Sequence, residues 1–600
     1  VTGEALGAPA DETPNEVERL AEEAVAWIAQ DPDEETRDEL SALLRRVGSS
    51  QPDAVAELRS RFGARLAFGT AGLRGELAAG PNRMNRVLVG QAAAGLAAFL
   101  LERADPGTPP SIVIGYDGRK NSHVFATDTA EIMAGAGVRA VLLPRLLPTP
   151  LVAFAVRDLG VSAGVMVTAS HNPPRDNGYK VYLGDADDGS QIVSPSDAEI
   201  AAHIDRVAAT LRVDELPRSD AFEVAGEELI ERYVSATAAL AGPPAERPGA
   251  PTSLSVVYTA MHGVGWETLA RVLSAAGFAA PHLVEAQIAP DPDFPTVAFP
   301  NPEEPGALDL ALEKAREVGA DLVIANDPDA DRLAVAIPDA SRDTGYRSLT
   351  GNEVGQLLGW RAAELATAAP LTPADLEDAV GGPLDGASPA EPALACSIVS
   401  SPALGAVAAE YGLAFTETLT GFKWVSRAPG LVFGYEEALG YLVNPGTVRD
   451  KDGISAAIAF LDLASRLAAT GRTIADRLDE FSGRFGHYAS AQISVRVTDL
   501  SEIDRVMAAL RSAPPSDIGG LPVERIDDLL HGSASGGVPA SDVLRISLPG
   551  ARVMVRPSGT EPKLKVYLDA WSADGGLVER REAAVELLSR LEAGMRDRLS

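Results

Sequence analysis

Thr168-Ala169-Ser170-His171-Asn172-Pro173 sets a serine hydroxyl beside an imidazole at the end of an apolar run, Val161 to Val167, which reads as a buried strand. Loops at the C-terminal ends of strands are where open α/β sheets hold ligands. The stretch that follows, Pro173 to Lys180, is proline-rich and reads as a stiff loop outside any regular element, with Lys180 just beyond the serine. Alone, Ser170 is equally a turn residue that satisfies local backbone groups. A second segment adds weight to the chemical reading. Asp327-Pro328-Asp329-Ala330-Asp331-Arg332 follows the strand-like Leu322 to Ala325. On an extended chain, alternate carboxylates point to one side. Three hard oxygen donors at a strand end suit Mg²⁺, which keeps open positions for water or phosphate oxygens. As a plain polar loop, the same segment would leave three like charges repelling one another.

Three further loops carry polar groups in suggestive order. Arg556-Pro557-Ser558-Gly559-Thr560-Glu561-Pro562-Lys563 lies between Val553–Val555 and Leu564–Tyr567. Arg556 offers a forked donor, Ser558 and Thr560 offer hydroxyls, and Gly559 lets backbone N–H groups approach an anion, which makes a phosphate cradle on a hairpin-like loop. Gly434-Tyr435-Glu436-Glu437-Ala438-Leu439-Gly440 follows Leu431 to Phe433, with Lys423 shortly before it. Its carboxylates can accept from sugar hydroxyls or form a solvated acidic loop. Gly69-Thr70-Ala71-Gly72-Leu73-Arg74 reads in isolation as a Gly-rich connection, although Arg74 could approach a phosphate. His262-Gly263-Val264-Gly265 lacks the third glycine of a dinucleotide fingerprint, which argues against a Rossmann cofactor site.

The elements that must position these loops repeat. Ser111 to Asp117 (strand), Ser122 to Ala136 (helix) and Arg139 to Leu143 (strand) make a β-α-β unit. The pattern returns at Leu254–Ala325 and again at Ala395–Thr418, so three successive α/β units are expected. The tail, with strands at Tyr488–Val497 and Val543–Leu548 and a final helix near Glu579–Arg596, reads as a separate α+β domain. Val1 to Asn15 reads as disordered, Glu16 to Arg46 as a helical extension, and Ala366 to Ala393 as a surface insertion.

Composition narrows the function. Six hundred residues call for several domains. A net charge of −33 argues against a nucleic-acid partner, which would need clustered Lys and Arg. An anionic substrate would therefore need its cationic partners gathered in a cleft. The single cysteine, Cys396, excludes an intrachain disulfide framework, and its apolar neighbours make it a core filler. The first residues carry no signal-peptide pattern, and no apolar run is long enough to span a bilayer. The expectation is a cytoplasmic protein with a small-molecule substrate, no nucleic acid and no membrane.

Thr168–Pro173, Asp327–Arg332, Gly434–Gly440 and Arg556–Pro562, in that order along the chain, resemble the motifs of the α-D-phosphohexomutases, the four-domain phosphoglucomutase/phosphomannomutase superfamily, and the resemblance runs from about Leu66 onward. The Gly69–Arg74 and Gly434–Glu437 variants are similar to the branch that holds phosphopentomutases, glucose 1,6-bisphosphate synthases and some bacterial phosphoglucomutases. The resemblance implies three tandem mixed-sheet α/β domains plus a C-terminal α+β domain around a central cleft. Its expected layout is a helical extension over 1–60, then domains over 61–225 (phosphoserine loop), 226–342 (metal loop), 343–475 (sugar-binding loop) and 476–600 (phosphate-binding loop).

The implied activity is a phosphosugar mutase, an isomerase that interconverts sugar 1-phosphate and 6-phosphate of glucose or mannose through a phosphoserine and a sugar bisphosphate. Ser170 carries the phosphoryl group and, with Asp327, Asp329 and Asp331, holds Mg²⁺. Lys180 is the implied base and acid, its pKa lowered by cationic neighbours. Arg74, His171 and Arg332 stabilise the transferring charge. Lys423 and Glu436 bind the sugar, and Arg556, Ser558, Gly559 and Thr560 bind the distal phosphate. Ala438 stands where many hexose mutases carry serine, which keeps a phosphopentomutase open as the alternative. A Mg²⁺-dependent sugar phosphatase and a non-catalytic sensor are the further alternatives. A serine hydrolase is disfavoured, because Ser170 lacks the Gly-x-Ser-x-Gly elbow.

Overall fold

The computed structural model describes residues 14–105, 107–242, 254–368, 391–497, 501–532, 538–558 and 563–599. Helices Pro14–Ile28, Glu34–Gly48 and Pro52–Phe62 form the N-terminal extension. Helix therefore begins inside the stretch expected to be disordered and runs past Arg46. Proline at a first helical position has its φ already set for the helix, so Pro14 and Pro52 start helices where composition alone suggests a break. Leu20, Trp27, Leu40, Leu58 and Phe62 pack into the same apolar core as Val87, Phe99 and Tyr179. The extension is thus part of the first domain's interior.

The first sheet runs, in space, Leu73–Glu76, Asp176–Leu183, Ala163–Val167, Ser111–Tyr116, Arg139–Leu142, Glu223–Val224. Its middle strands are parallel, whereas Asp176–Leu183 is antiparallel to both of its neighbours. Regular structure thus resumes at Asp176, inside the segment expected to be a loop through Lys180. The prolines break only the turn. Beyond them, Tyr179, Val181 and Leu183 alternate into one core while Tyr182 enters the core on the other face. This alternation puts Lys180 on Tyr182's face, toward the second domain.

The second sheet runs Tyr346–Ser348, Ala334–Pro338, Leu322–Ala325, Val256–Thr259, His282–Leu283, and the third Ala414–Thr418, Ala393–Ser397, Leu431–Glu436, Gly440–Leu442. Both are mixed. The fourth is an antiparallel sheet of His487–Arg496, Lys563–Ser572, Ala551–Pro557, Leu544–Leu548 and Arg525–Asp528, flanked by helices Ser501–Ser512 and Leu577–Leu599. The chain is therefore four tandem α/β domains. One continuous core joins the first three, from Leu151 and Tyr182 through Ile324 to Trp360, Phe433 and Ile454. The fourth has a core of its own, with Ile493, Val553 and Val566. It meets the third across Val399 and Tyr567 and through Glu417, which pairs with Arg552 at 2.9 Å and Arg545 at 3.1 Å.

Cys396 is fully buried, and burial pushes its thiol well above the ordinary value, as suits a core filler. Among the described residues no single helix is long and apolar enough to cross a membrane. Most of Val1–Asn15 and of Ala366–Ala393 lies outside the described residues. Ala366–Ala368 close the helix Gly351–Ala368, and Ala393 opens a strand.

Candidate active site

Ser170 sits at the end of Ala163–Val167 with φ +52°, a left-handed conformation that costs a non-glycine residue energy. The Thr168 hydroxyl accepts from its N–H at 2.8 Å. The Ser170 hydroxyl donates to Asp327 Oδ2 at 3.0 Å and lies 3.2 Å from His171 Nδ1. Burial, reinforced by the charges of Arg332 and Arg74, holds His171 well below its ordinary pKa, so the ring is neutral at pH 7.

What keeps this loop in place is Arg119, which belongs to none of the motifs above. Its buried guanidinium donates to the carbonyls of Ser170 (2.6 Å), Asn172 (2.6 Å), Pro173 (2.8 Å) and Asp176 (3.1 Å). A planar fork can serve several acceptors at once, and a lysine ammonium cannot match that geometry. Arg119→Lys is expected to lower kcat about ten- to a hundredfold, the cost of a misplaced reacting group. KM for the substrate should stay within about twofold, because all four side-chain hydrogen bonds of Arg119 go to carbonyls of the Ser170–Asp176 segment. Steady-state kinetics on the purified variant checks both numbers.

The aspartates converge for a different reason from the one expected. Residues 327–331 are not extended. They curl through a turn in which Ala330 N–H bonds Asp327 O at 2.9 Å and Ala330 takes φ +55°. The turn gathers all three carboxylates, each fully buried, so that one oxygen of each lies within 4.8 Å of the others. Lys180 Nζ bonds Asp329 Oδ2 at 2.7 Å and Asp331 Oδ2 at 2.8 Å, and Thr149 bonds Asp329 Oδ2 at 2.6 Å. Lys451, also outside those motifs, reaches Asp331 Oδ2 at 3.3 Å.

Burial and the charges of Asp329 and Asp331 push Asp327 well above the ordinary carboxylate range. Burial works against the charge of Asp331 as well, but Lys180, Lys451 and Arg332 outweigh it and hold that carboxyl low. For Lys180, burial disfavours the charge, yet Asp329 and Asp331 more than offset it and raise its pKa. The expected lowering by cationic neighbours is therefore not what this arrangement does: Asp329 and Asp331 outweigh both burial and the opposing charge of Lys451.

The site fits a hard divalent cation. Asp329 Oδ1 and Asp331 Oδ1 are buried without a hydrogen-bond partner. Leaving charged oxygens bare in the interior is costly unless something else meets them. An octahedral ion with ligands at about 2.0–2.1 Å needs its oxygens roughly 3–4 Å apart, a small side-chain adjustment from the observed cluster.

Arg332 links this loop to the next. Its Nη1 donates to Ala438 O at 2.9 Å, and Leu333 N–H bonds Leu439 O at 3.1 Å. Its charge, with that of Lys451, also acts on the carboxyl of Glu436. Glu437 turns elsewhere, accepting from the hydroxyls of Ser397 and Ser400 at 3.1 Å each. Arg74 joins the serine loop through Asn172 Oδ1 at 3.2 Å, and Lys423 donates to Thr70 Oγ1, closing the third domain on the Gly69–Arg74 loop. Arg556 and Ser558 stand at the tip of the hairpin between Ala551–Pro557 and Lys563–Ser572, where Ser558 N–H bonds Lys563 O at 2.8 Å. Gly559 and Thr560 lie outside the described residues. Ser170, His171, Arg74, Lys180, the three aspartates and Arg332 thus form one connected cluster, and burial raises the nearby Glu436 carboxyl against the charges of Lys451 and Arg332. Among the described residues no hydrogen bond or ion pair joins Arg556 to it.

Four stretches of the chain match the domains of one known family in the same order as its sheets. Residues 65–210, 231–340 and 384–485 match the alpha/beta/alpha domains I, II and III of phosphoglucomutase/phosphomannomutase, and residues 493–585 match its C-terminal domain. The chain belongs to the phosphoglucomutase/phosphomannomutase family. Within it, a Haemophilus influenzae relative named "Probable phosphomannomutase" is 54% identical over 492 residues, covering 82% of this chain and 94% of its own. A Mus musculus phosphopentomutase is 33% identical, covering 93% of this chain and 91% of its own. A solved phosphoglucomutase/phosphomannomutase family protein from Burkholderia thailandensis has a TM-score of 0.65 at 19% identity, covering 89% of this chain and 97% of that one, a likeness of fold.

Proposed function

We propose that this member of the family is a divalent-cation-dependent phosphohexomutase that interconverts the 1- and 6-phosphates of glucose or mannose, with Ser170 carrying the phosphoryl group. One observation carries the reading: the Ser170 hydroxyl, on the first domain, lies 3.0 Å from Asp327 of a buried three-carboxylate cluster on the second. The hexose assignment draws support from the 54% identical phosphomannomutase relative.

Asp327, Asp329 and Asp331 would hold Mg²⁺ together with an oxygen of the phosphoryl group on Ser170, and the ion would draw charge from that group during in-line transfer. The protein does the rest. Arg556 and Ser558 grip the phosphate that is not reacting, which aims the far hydroxyl of the sugar at Ser170. As that oxygen bonds to phosphorus, the P–O bond to Ser170 Oγ breaks, and the hydroxyl proton must leave. Lys180 is the base that the family resemblance implies, and its amine can serve only after giving up its ion pairs with Asp329 and Asp331. Neutral His171 stays on Ser170 Oγ, and Arg74 and Arg332 face the charge in transit. The sugar bisphosphate then turns end over end and returns its other phosphate to Ser170, so no phosphate is lost overall. Glu436 meets ring hydroxyls in either orientation. The separate core of the fourth domain lets the Arg556 hairpin move against the other three as the cleft closes.

A pentose reading has its own support in Ala438, which offers no hydroxyl to a sugar ring, and in the pentomutase relative. A coupled assay with Mg²⁺ and the matching bisphosphate separates the two. Glucose or mannose 1-phosphate should turn over at least about tenfold faster than ribose or deoxyribose 1-phosphate, the scale of a pocket difference of one group. Faster pentose turnover overturns the hexose assignment. Phosphate release equal to substrate loss overturns the mutase itself.

A further inference from the structure

The proposed mechanism requires the sugar ring to lie between two ends of the cleft: the Ser170–Arg332 cluster and the Arg556 hairpin. On the third domain Glu436 faces that space, and Ala438 beside it offers only a methyl group. The second domain places another acceptor there. Glu303 follows Asn301-Pro302, in a loop held by its own N–H bonding Asn301 Oδ1 at 3.1 Å. Its carboxylate comes within 3.9 Å of Arg332 Nη1, the same nitrogen that donates to Ala438 O at 2.9 Å. At 3.9 Å the pair is an ion pair without a hydrogen bond. Among the described residues, none donates a hydrogen bond to this carboxylate. The side chain keeps 41% exposure and borders a cavity of about 470 Å³ where the second, third and fourth domains meet.

The charges around Glu303 show what it faces. Burial raises its carboxyl, the charges of Arg332 and Lys565 work against that, and Glu436 adds to it. Lys565 stands directly opposite Arg556 in the fourth-domain hairpin. Residues opposed in an antiparallel pair share a face, with Cβ atoms about 5 Å apart. Glu303 therefore stands beside Arg332 at the transfer end, on a different domain from Glu436, and feels the charge of Lys565 on the Arg556 face of the fourth-domain hairpin.

We propose that Glu303 is a specificity-determining residue that accepts a hydrogen bond from one ring hydroxyl of the bound hexose phosphate, supplying the contact that Ala438 does not. The inference rests on the phosphohexomutase reading. It names two carboxylates, Glu303 on the second domain and Glu436 on the third, that hold the ring.

The test pairs Glu303→Gln and Glu303→Ala with glucose 1-phosphate and its 2-, 3- and 4-deoxy analogues, following kcat/KM. On the parent sugar, Glu303→Ala is expected to lose about ten- to a hundredfold, the range for a hydrogen bond to a charged group. On one deoxy analogue the same substitution should cost less than about twofold, since its partner hydroxyl is already gone, while the other analogues lose as the parent does. Glu303→Gln, which keeps a carbonyl acceptor, should recover part of the loss. An equal loss on the parent and all analogues overturns the proposal and leaves Glu303 acting only on Arg332. No loss at all overturns it too. Failure of the underlying function is separately visible, because the unaltered protein would then turn over no hexose phosphate.

Discussion

Ser170→Ala is expected to lower mutase turnover by about four orders of magnitude or more, the scale seen when a covalent carrier is removed. The fold should survive. The Ser170 N–H keeps its bond to Thr168, Arg119 still grips the loop's carbonyls, and alanine bears the same φ +52° strain as serine. Only the hydroxyl is lost, with its bond to Asp327. Ser170→Gly separates chemistry from strain. Glycine adopts that φ freely, so this variant should be as inactive as the alanine variant and no less stable. Intact-mass measurement after incubation with glucose 1,6-bisphosphate should show one added phosphoryl group on the unaltered chain and none on either variant. Retained turnover in Ser170→Ala would move the phosphoryl carrier to another residue.

Asp327→Asn should cost about a thousandfold in turnover and raise the Mg²⁺ concentration for half-maximal activity at least about tenfold, since the ion's charge stabilisation is worth several kcal/mol. Asparagine keeps an oxygen for the Arg332 N–H at the Oδ1 position (3.0 Å now), and its amide can donate to the Ser170 hydroxyl. Shape therefore persists while charge goes. The effect on stability runs the other way. Burial, Asp329 and Asp331 raise the Asp327 carboxyl well above its ordinary value, so the unaltered protein in chelator loses stability as pH climbs from the ordinary carboxylate range through that raised value. The variant has no such group. In chelator at neutral pH its melting temperature should be equal or higher, and the gap should close below the ordinary carboxylate range. Added Mg²⁺ should raise the melting temperature of the unaltered protein more than that of the variant. An unchanged Mg²⁺ titration would remove Asp327 from the metal site.

The motifs were readable because their residue types have few other uses. Three aspartates in five positions beside a strand, or a hydroxyl-rich loop headed by arginine, make little sense as core or as plain surface. The helices and strands were readable from apolar spacing, down to Leu322–Ala325 and Ser122–Ala136. Two local readings failed. Asp176–Leu183 is a strand because neighbours on both sides hydrogen-bond it, and the aspartate segment curls because a turn closes on Asp327 O. For Asp176–Leu183 the deciding partners lie outside the short window; for the aspartates a local turn inside it overrides the extended reading.

Arg119 and Lys451 carry no motif of their own. Their importance comes from which carbonyls and carboxylates surround them after folding. The Lys180 ionisation was misjudged likewise, because its neighbours in space are Asp329 and Asp331.

Taken alone, the amino-acid order determined the four-domain α/β layout and pointed to the serine and the aspartate trio as candidates, because hydrophobic period and donor type are local properties of a chain. Tertiary structure alone decided that Ser170 meets Asp327 across a domain boundary, that Glu437 turns to Ser397 and Ser400, and that Glu303 shares Arg332 with the Gly434–Gly440 loop. Electrostatic and hydrogen-bond partners depend on distance through space, and packing sets that distance between residues far apart along the chain.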